Sequence, residues 1–371
     1  MQVVFVDDES RVLAGIERTL AMHDSAWNCR FFTSGQAALD ALADRPADVV
    51  VSDMRMPFMD GAALLGKVRE HWPGTLRIIL SGYSDTACTL RMLDVAHQFV
   101  SKPCDNAVLL ATLEGALSLR ALFKDPSVLD VIGRVNRLPS APRVFAELTR
   151  LLADPASDAR QVSRLLGSDP ALSARIMQLA NSAYFTGGGG GTIKSVGDAI
   201  NRLGIDQVRL LVLASHVFAD AAEDPYVDLL QRRSLQASQL ATQIVAGNSA
   251  QAATAALLAR IGLLVHDLRD DAGQEAKTGC DTPLQAAVGA YLLALWGLPM
   301  DIVDAVARHT HPDRTVGTGF GMAGAVHVAV ALANGQTPDL VYLERTGMLD
   351  KWTHWQACNA ALTLDSDNDV D

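Results

Sequence analysis

The N-terminal part of the chain alternates between short, continuous apolar runs and longer amphipathic stretches. Four of the runs are VVFV, DVVVS, LRIIL and QFVS, and each is followed directly by a polar residue. Continuous β-branched and aliphatic runs of this length, separated by helical patterns, are typical of buried parallel strands that are joined by helices. The pattern therefore predicts an α/β domain with a doubly wound parallel sheet.

The polar residues that follow these runs are Asp7 and Asp8, Asp53, Ser81 and Lys102. Because the carboxyl ends of parallel strands lie at one edge of the sheet, where ligands bind, we expect these side chains to lie close together. Two carboxylates about 4 Å apart repel each other by roughly 4 kcal/mol at an effective dielectric constant of about 20. A divalent cation offsets this repulsion, and ligation by oxygen atoms alone suits Mg²⁺. The sequence therefore predicts a magnesium site at this edge.

After Lys102 the apolar positions recur at helical spacing, and strand patterns do not return. The segment SDPALSARIMQLANSAYF is typical, with Asp169 as N-cap and Pro170 in the first helical turn. The chain from about Leu129 to Asn334 is therefore predicted to form a series of amphipathic helices. The five glycines at 187–191 follow no strand and lack the Lys-Ser/Thr pair of a P-loop, so we interpret them as a loop.

Composition narrows the choice of function. A chain of 371 residues favours two domains, and a net charge of -11 argues against a broad nucleic-acid surface. No apolar stretch reaches the roughly 18 residues that a membrane-spanning helix needs, and we expect no signal peptide. The five cysteines lack paired metal spacing and indicate reduced thiols. We therefore expect a cytoplasmic protein with neither membrane association nor direct DNA binding.

Four motifs of the first domain carry a family resemblance. VVFVDDE, VVVSDMRMPFMDG, IILSGYSD and FVSKP occur in the order and spacing of the receiver domain of two-component response regulators, which residues 1–121 resemble. The resemblance implies a flavodoxin-like, five-stranded parallel sheet. It also implies that a cognate histidine kinase phosphorylates Asp53, and that Asp7, Asp8, Asp53 and the main-chain carbonyl of Arg55 hold Mg²⁺.

The same resemblance assigns roles to three further residues. Lys102 pairs with the phosphoryl group, and Ser81 moves toward it. Phe99, three residues before the lysine, occupies the aromatic switch position. Phosphorylation is then a local charge event that biases a two-state surface built by the fifth strand and the helix before it.

The second half of the chain resembles the HDOD domain, an all-helical relative of the HD and HD-GYP phosphohydrolases. The motifs are LPSAPRVFAELTRLL, SDPALSARIMQLANSAYF, SVGDAINRLGIDQVRLLVLA and GAYLLALWGLPMDIVDAVARH. We place this domain at residues 130–335, after a linker at 122–129. Residues 336–371 are predicted to be a helical segment with an acidic tail. Its apolar residues have helical spacing, which predicts packing on the helical domain or on a partner.

A catalytic HD site needs several His and Asp ligands that converge on one or two metals. When the family's GLLHDIG run is aligned with ALLARIGLL, the His-Asp ligand pair of the family falls at Ala259-Arg260. On this alignment His266-Asp267 resembles the ligand pair but does not occupy its position. The ligand positions are then occupied by Arg233, Ala259, Arg260, Gln285 and Val330. Only His309 remains, at a helix end that we expect to be solvated. His327 lies in an apolar helix and is interpreted as a hydrogen-bonded core residue. We therefore predict no metal in the HDOD domain.

The whole chain is interpreted as a response regulator with a non-catalytic output that acts through protein–protein interaction. Apart from its own phosphorylation chemistry, we do not expect it to be an enzyme. The expected partners are a histidine kinase and downstream signalling proteins, including those of cyclic-dinucleotide pathways, and a homodimer is left open. One alternative is a sensor in which Arg233 and Arg260 pair with a cyclic dinucleotide or another phosphate ligand. Another is an active HD-type phosphodiesterase, which the missing ligands oppose.

Overall fold

The structure is a computed structural model that describes most of the chain. The described residues are 1–22, 27–82, 95–102, 106–122, 132, 135, 144, 147–148, 150–151, 159–182, 191–204, 208, 225–245, 247, 249–265, 283–312 and 319–368. Most of the predicted linker and the pair His266-Asp267 lie outside these ranges. The chain divides into two compact units, Met1–Arg137 with Gln178–Thr192 and Leu295–Gly297, and Leu138–Met177 with Ile193–Ala294 and Leu298–Asp371.

The first unit contains a parallel sheet of five strands, as predicted. The strands are β1 (Gln2–Val6), β2 (Asn28–Phe32), β3 (Val49–Asp53), β4 (Leu76–Gly82) and β5 (Gln98–Lys102), in the spatial order β2-β1-β3-β4-β5. The chain leaves β1 toward β2 on one side and returns to β3 on the other. The carboxyl ends of β1 and β3 therefore flank the point where the strand order reverses, which is where open α/β sheets bind ligands.

Helices accompany this sheet, namely α1 (Ser10–Met22), α2 (Gly35–Asp44), α3 (Gly61–His71) and α4 (Asn106–Leu122). Ser34 and Asp60 cap α2 and α3, because their side chains accept hydrogen bonds from the first-turn amides of Ala37 and Ala63. The strands β1 and β3 are almost completely buried, as expected of parallel strands covered on both faces.

One strand residue departs from the apolar pattern. Arg77 on β4 is only 1% exposed. Its Nε donates to the carbonyl oxygen of Val95 at 2.7 Å, and its Nη1 donates to that of Thr75 at 3.2 Å. Burial lowers the pKa of this guanidinium to about 9. Main-chain carbonyls thus accept the hydrogen bonds of a charged group inside the sheet.

The rest of the described chain is mostly helical. The helices are α5 (Ala159–Leu166), α6 (Pro170–Asn181), α7 (Val196–Leu203), α8 (Pro225–Ile244), α9 (Ser249–Leu258), α10 (Pro283–Leu295), α11 (Met300–Arg308), α12 (Met322–Ala333), α13 (Leu340–Arg345) and α14 (Trp352–Asn368). Short 3-10 helices lie at Ile261–Leu264 and Leu349–Lys351. Within the described ranges, none of these helices combines the length and apolar character needed to cross a bilayer.

The core of the second unit is formed by α8, α9 and α12, with α11 and α14 packed beside them. Backbone meets backbone where the 3-10 turn after α9 crosses α10. A Cβ atom on Gly262 would lie 2.1 Å from the carbonyl oxygen of Gln285, and one on Gly289 would lie 3.0 Å from the amide nitrogen of Gly262. Only glycine permits so close an approach at these two positions.

The C-terminal segment belongs to the second unit. Tyr342 and Trp355 are each 2% exposed, and the rings of Phe320 and Trp355 stack with centroids 5.6 Å apart. Nε2 of Gln236 on α8 donates to Oδ1 of Asn359 on α14 at 2.8 Å. These contacts agree with the prediction that the segment packs on the helical domain.

Candidate functional site

The structure brings the predicted polar residues to one edge of the sheet. Asp7 follows β1, Asp53 ends β3, Ser81 lies near the end of β4, and Lys102 ends β5. Asp7 and Asp53 are buried, with 1% and 7% of their surface exposed, whereas the neighbouring Asp8 is exposed. The two buried carboxylates come from the adjacent strands β1 and β3, as the strand order requires.

The ammonium of Lys102 joins these two carboxylates. It donates a hydrogen bond to Asp7 Oδ2 at 2.7 Å and forms an ion pair with Asp53 Oδ1. Burial raises the pKa of the Asp53 carboxyl above its usual value, and the hydrogen bond and charge of Lys102 only partly offset that effect. Burial by itself lowers the pKa of Lys102, but its hydrogen bonds and charge interactions with Asp53 and Asp7 outweigh burial, so its pKa is raised. The lysine is therefore a fixed cation.

Main-chain amides hold the other oxygen of each carboxylate. Asp53 Oδ2 accepts a hydrogen bond from the amide of Arg55 at 2.9 Å, and Asp7 Oδ1 accepts one from the amide of Glu9 at 2.9 Å. Each carboxylate is thus oriented by the backbone, with one oxygen turned toward the shared cation. Asp53 Oδ1 is the oxygen that faces positive charge.

The start of α3 lies directly against the back of Asp53. The amide of Gly61 donates to the carbonyl oxygen of Met54 at 2.9 Å, and a Cβ atom on Gly61 would lie 2.2 Å from the carbonyl oxygen of Asp53. The loop between Met54 and Gly61 therefore closes tightly beside the carboxylate. In the motif VVVSDMRMPFMDG, Asp60 is the N-cap of α3, and Gly61 has no side chain that would clash with the main chain of Asp53.

The donor set of this edge fits Mg²⁺. Asp7, Asp8, Asp53 and the carbonyl of Arg55 provide only oxygen ligands, which this hard cation prefers. Within the described ranges, no three His, Cys, Asp or Glu side chains are grouped closely enough to form a ready-made metal site. Asp7 and Asp53 converge instead on the Lys102 ammonium. A Mg²⁺ ion held by these residues would therefore compete with the lysine for at least one carboxylate.

The two predicted switch residues are buried. Ser81 is 2% exposed, and its hydroxyl donates to the carbonyl oxygen of Gly82 at 3.2 Å. Phe99 is 3% exposed, pairs with Ile79 across β4 and β5, and belongs to the hydrophobic core beneath the sheet. The aromatic side chain is therefore turned inward in this structure.

The positions aligned with HD ligands are distributed over five helices or their ends. Arg233 lies on α8, Ala259 and Arg260 follow α9, Gln285 lies on α10, His309 follows α11 and Val330 lies on α12. The structure brings the two arginines together, because Nη1 of Arg233 and Nη1 of Arg260 both donate to Asn334 Oδ1, at 3.3 and 2.5 Å. Sequence reasoning missed Asn334. An asparagine directly after an apolar helix is typical of an ordinary C-cap, and its main-chain amide does bond back to α12.

The expectation that His309 lies at a solvated helix end is wrong. His309 is 3% exposed, and its Nδ1 donates to the carbonyl oxygen of Val306 at 2.7 Å. The physical reason is that α12 packs on α11 and covers its last turn. The carbonyl oxygen of His309 also accepts a hydrogen bond from Nδ1 of His327 at 2.6 Å.

His327 is hydrogen-bonded, as predicted, but it is only half-buried and lies at the margin of the core. While its Nδ1 donates to His309, its Nε2 accepts a hydrogen bond from the amide of Asp339 at 2.9 Å. This pair of contacts requires the neutral ring with a proton on Nδ1. Burial lowers the pKa of His327 below its usual value.

Comparison with known proteins agrees with both resemblances. Residues 3–114 match the response regulator receiver domain, and residues 138–312 match the HDOD domain. The chain therefore contains a receiver domain followed by an HDOD domain, which is the organisation of a two-component response regulator with an HDOD output. The helices from α12 onward lie beyond the matched HDOD residues but within the same compact unit.

Three relatives illustrate the similarity. The DNA-binding transcriptional regulator NtrC of Escherichia coli (strain K12) is 32% identical over 153 residues, which cover 39% of this chain and 32% of that protein. The chain thus spans about a third of the length of the curated relatives it matches. A signal receiver domain of an HD domain-containing protein from Pseudomonas fluorescens Pf-5 is 28% identical, with a TM-score of 0.31 and coverage of 33% of this chain and 97% of that one. The MmoQ response regulator from Methylococcus capsulatus str. Bath is 23% identical, with a TM-score of 0.47 and coverage of 60% and 98%.

The lowered pKa of His327 predicts an acid-sensitive second unit. The folded protein favours the neutral ring, so the stabilisation is complete above the usual pKa of 6.5 and is lost as the pH falls through the folded pKa. We expect the free energy of unfolding to decrease below about pH 6.5 by at most about 1.4 kcal/mol per pH unit from this group. Chemical denaturation of the full chain between pH 8 and pH 5 measures this slope.

Two variants test the assignment. His327→Gln removes the titrating group and reduces the slope, whereas His354→Gln, on the exposed part of α14, leaves it unchanged. An equal slope in the wild type and in His327→Gln contradicts the prediction.

Proposed function

We propose that this protein is a response regulator in which Asp53 accepts a phosphoryl group from a histidine kinase and thereby changes the activity of a non-catalytic HDOD output. The observation that carries the proposal is the Lys102 ammonium shared by Asp7 and Asp53. It supports a site in which one buried carboxylate oxygen faces fixed positive charge at the edge of a parallel sheet. Phosphoryl transfer to a carboxylate requires positioning and charge neutralisation above all.

The transfer itself follows from this arrangement. Asp53 Oδ1 attacks the phosphorus of a phosphohistidine, a P–O bond forms, the P–N bond breaks, and the electron pair returns to the imidazole nitrogen. The amide of Arg55 holds Oδ2 and keeps the carboxylate oriented. Lys102 neutralises charge on the transferred group. The residues that would hold a Mg²⁺ ion are Asp7, Asp8, Asp53 and the Arg55 carbonyl, and the ion would supply further positive charge for the transfer.

The signal then passes through Ser81 and Phe99. In the proposed switch, the Ser81 hydroxyl leaves the carbonyl of Gly82 and donates to the phosphoryl group. Phe99, which already lies in the core, shifts further toward the space that the serine vacates, and the face around β5 changes. Burial of both side chains supports this step, because neither can move without displacing its neighbours. The altered face contacts the output domain, a downstream protein or a second copy.

We expect a small acyl-phosphate donor with Mg²⁺ to label the wild-type chain once, at Asp53. Asp53→Asn takes up no label because the nucleophile is lost, while Asp40→Asn, an exposed carboxylate on α2, retains full labelling. Phosphate incorporation followed by mass spectrometry measures both. Beryllofluoride, which imitates the phosphoryl group, should also change hydrogen exchange at β5. Persistent labelling of Asp53→Asn would contradict the assignment of Asp53 as the phosphoacceptor.

The same proposal holds that the HDOD domain does not hydrolyse cyclic dinucleotides. Arg233 and Arg260 put guanidinium groups where a metal-binding site needs neutral or anionic ligands. His309 is buried and commits its Nδ1 to the carbonyl oxygen of Val306. One remaining imidazole does not provide the several ligands that a catalytic metal requires.

Elemental analysis of the purified full chain tests this part. We expect iron, manganese and zinc far below one ion per chain, and no hydrolysis of cyclic di-GMP when Mn²⁺ is added. Magnesium in the receiver domain does not interfere with this measurement. Near-stoichiometric iron or manganese contradicts the prediction and makes His266-Asp267 the candidate ligand pair.

A second candidate function rests on a different observation. Two arginine side chains converge on the neutral amide oxygen of Asn334. A phosphate group is the acceptor that the planar fork of a guanidinium prefers, and two guanidinium groups suit a doubly charged ligand. The HDOD domain would then sense a phosphate ligand such as a cyclic dinucleotide.

The substitution Asn334→Asp separates this candidate from a purely structural cluster. A carboxylate at this position accepts from both arginines and competes with a phosphate ligand. Because Nδ2 of Asn334 also donates to the carbonyl oxygen of Val330 at 2.7 Å, the carboxylate loses one hydrogen bond while it gains charge opposite the arginines. We therefore expect the stability of the variant to stay within about 1 kcal/mol of the wild type, and we expect it to lose any thermal shift that pyrophosphate or cyclic di-GMP produces in the wild type. Arg232→Gln, an exposed neighbour on α8, keeps the shift. If neither ligand shifts the wild type, the candidate fails.

A further inference from the structure

Phe58, in the loop between β3 and α3, is an apolar residue in an unfavourable setting. It is the most exposed of the large hydrophobic residues that the structure describes, with a relative exposure of 110%. Its φ angle is 67°, in the left-handed region that L-residues other than asparagine and aspartate rarely adopt. Exposure and backbone conformation therefore both oppose phenylalanine at this position.

The loop holds Phe58 in place despite these costs. The amide of Met59 donates to the carbonyl oxygen of Pro57 at 2.7 Å, and the amide of Gly61 donates to that of Met54 at 2.9 Å. Met56 is buried, and Met59 packs against the hydrophobic core. The loop is thus fixed on both sides of Phe58, while the aromatic ring is left in solvent.

This ring lies close to the proposed phosphoacceptor. Phe58 is three residues from Arg55, whose amide bonds Asp53, and three residues from Gly61, which lies against the carbonyl of Asp53. Three residues of extended chain span at most about 11 Å. A specific protein interface covers about 800 Å² on each partner, which corresponds to a disc about 16 Å in radius. Phe58 therefore lies within reach of the contact surface of a protein that brings a phosphohistidine to Asp53.

We infer that Phe58 is a docking residue for the protein that donates the phosphoryl group. Its ring enters an apolar recess beside the phosphohistidine of the donor, and burial on docking offsets the exposure it suffers in the free protein. A small acyl phosphate reaches Asp53 without covering the loop and gains nothing from this contact. The inference rests on the proposed phosphorylation of Asp53, and it adds a residue that distinguishes protein donors from small ones.

The test compares the two kinds of donor on the full chain. A panel of purified, autophosphorylated histidine kinases is first screened for the fastest transfer to the wild type. Phe58→Gly removes the ring and accepts the positive φ angle, so the fold is retained. We expect kcat/KM for transfer from the selected kinase to fall about tenfold or more, chiefly through KM, which is the effect of losing an interface anchor. Labelling by the small acyl phosphate stays within about twofold of the wild type.

Two further variants serve as controls. Phe58→Tyr keeps an aromatic ring and restores most of the transfer from the kinase. Val341→Ala shortens another exposed apolar side chain, in the second unit, and leaves transfer unchanged.

Each remaining outcome overturns the inference in a recognisable way. If Phe58→Gly slows labelling equally with both donors, Phe58 shapes the site and does not dock a partner. If transfer from the kinase to Phe58→Gly is unchanged, Phe58 has no docking role. If Phe58→Gly changes the association state in sedimentation while transfer from the kinase stays unchanged, the ring packs against a second copy of this chain. Labelling by the small donor without transfer from any kinase excludes a phosphohistidine protein as the partner. Absence of labelling by either donor overturns the proposed function itself.

Discussion

The arrangement of the receiver site depends on the contact between one ammonium and two buried carboxylates. Asp7 and Asp53 end adjacent strands, so the fold places two like charges side by side where the strand order reverses. Lys102 relieves their repulsion from the far edge of the sheet, and its charge links β1, β3 and β5. The backbone amides bind one oxygen of each carboxylate. The other oxygen, which faces the lysine, remains available to a cation. The same geometry provides the fixed positive charge that the proposed phosphoryl transfer to Asp53 requires.

Much of this domain could be predicted because its signals are local. Four apolar runs ending in polar residues identify four strands and the edge at which their side chains meet. The edge strand β2 gives no such signal, since its sequence NCRFF is half-buried and lacks a continuous apolar run. Arg77 interrupts the run of β4, yet it is buried. Its carbonyl partners come from residues 73, 75 and 95, and a linear pattern does not show that they meet.

The helical domain was harder to predict, because its interactions join distant segments. The convergence of Arg233 and Arg260 on Asn334 depends on how α8, α9 and α12 pack, and no spacing in the sequence encodes it. His309 was expected in solvent because it ends a helix, but α12 covers that end. Its partner His327 was recognisable from the apolar helix around it. Periodicity thus identifies which residues face a core, while the identity of a polar partner requires the tertiary structure.

The glycine contact between the turn after α9 and α10 has a mechanical consequence. Where side chains separate two helices, a small displacement is absorbed by rotamer changes. Gly262 and Gly289 leave no side chains to adjust, and the main chains touch directly. A displacement of α10 must therefore carry the turn and the adjoining Arg260 with it. The direct main-chain contact thus couples the position of α10 to that of the arginine pair.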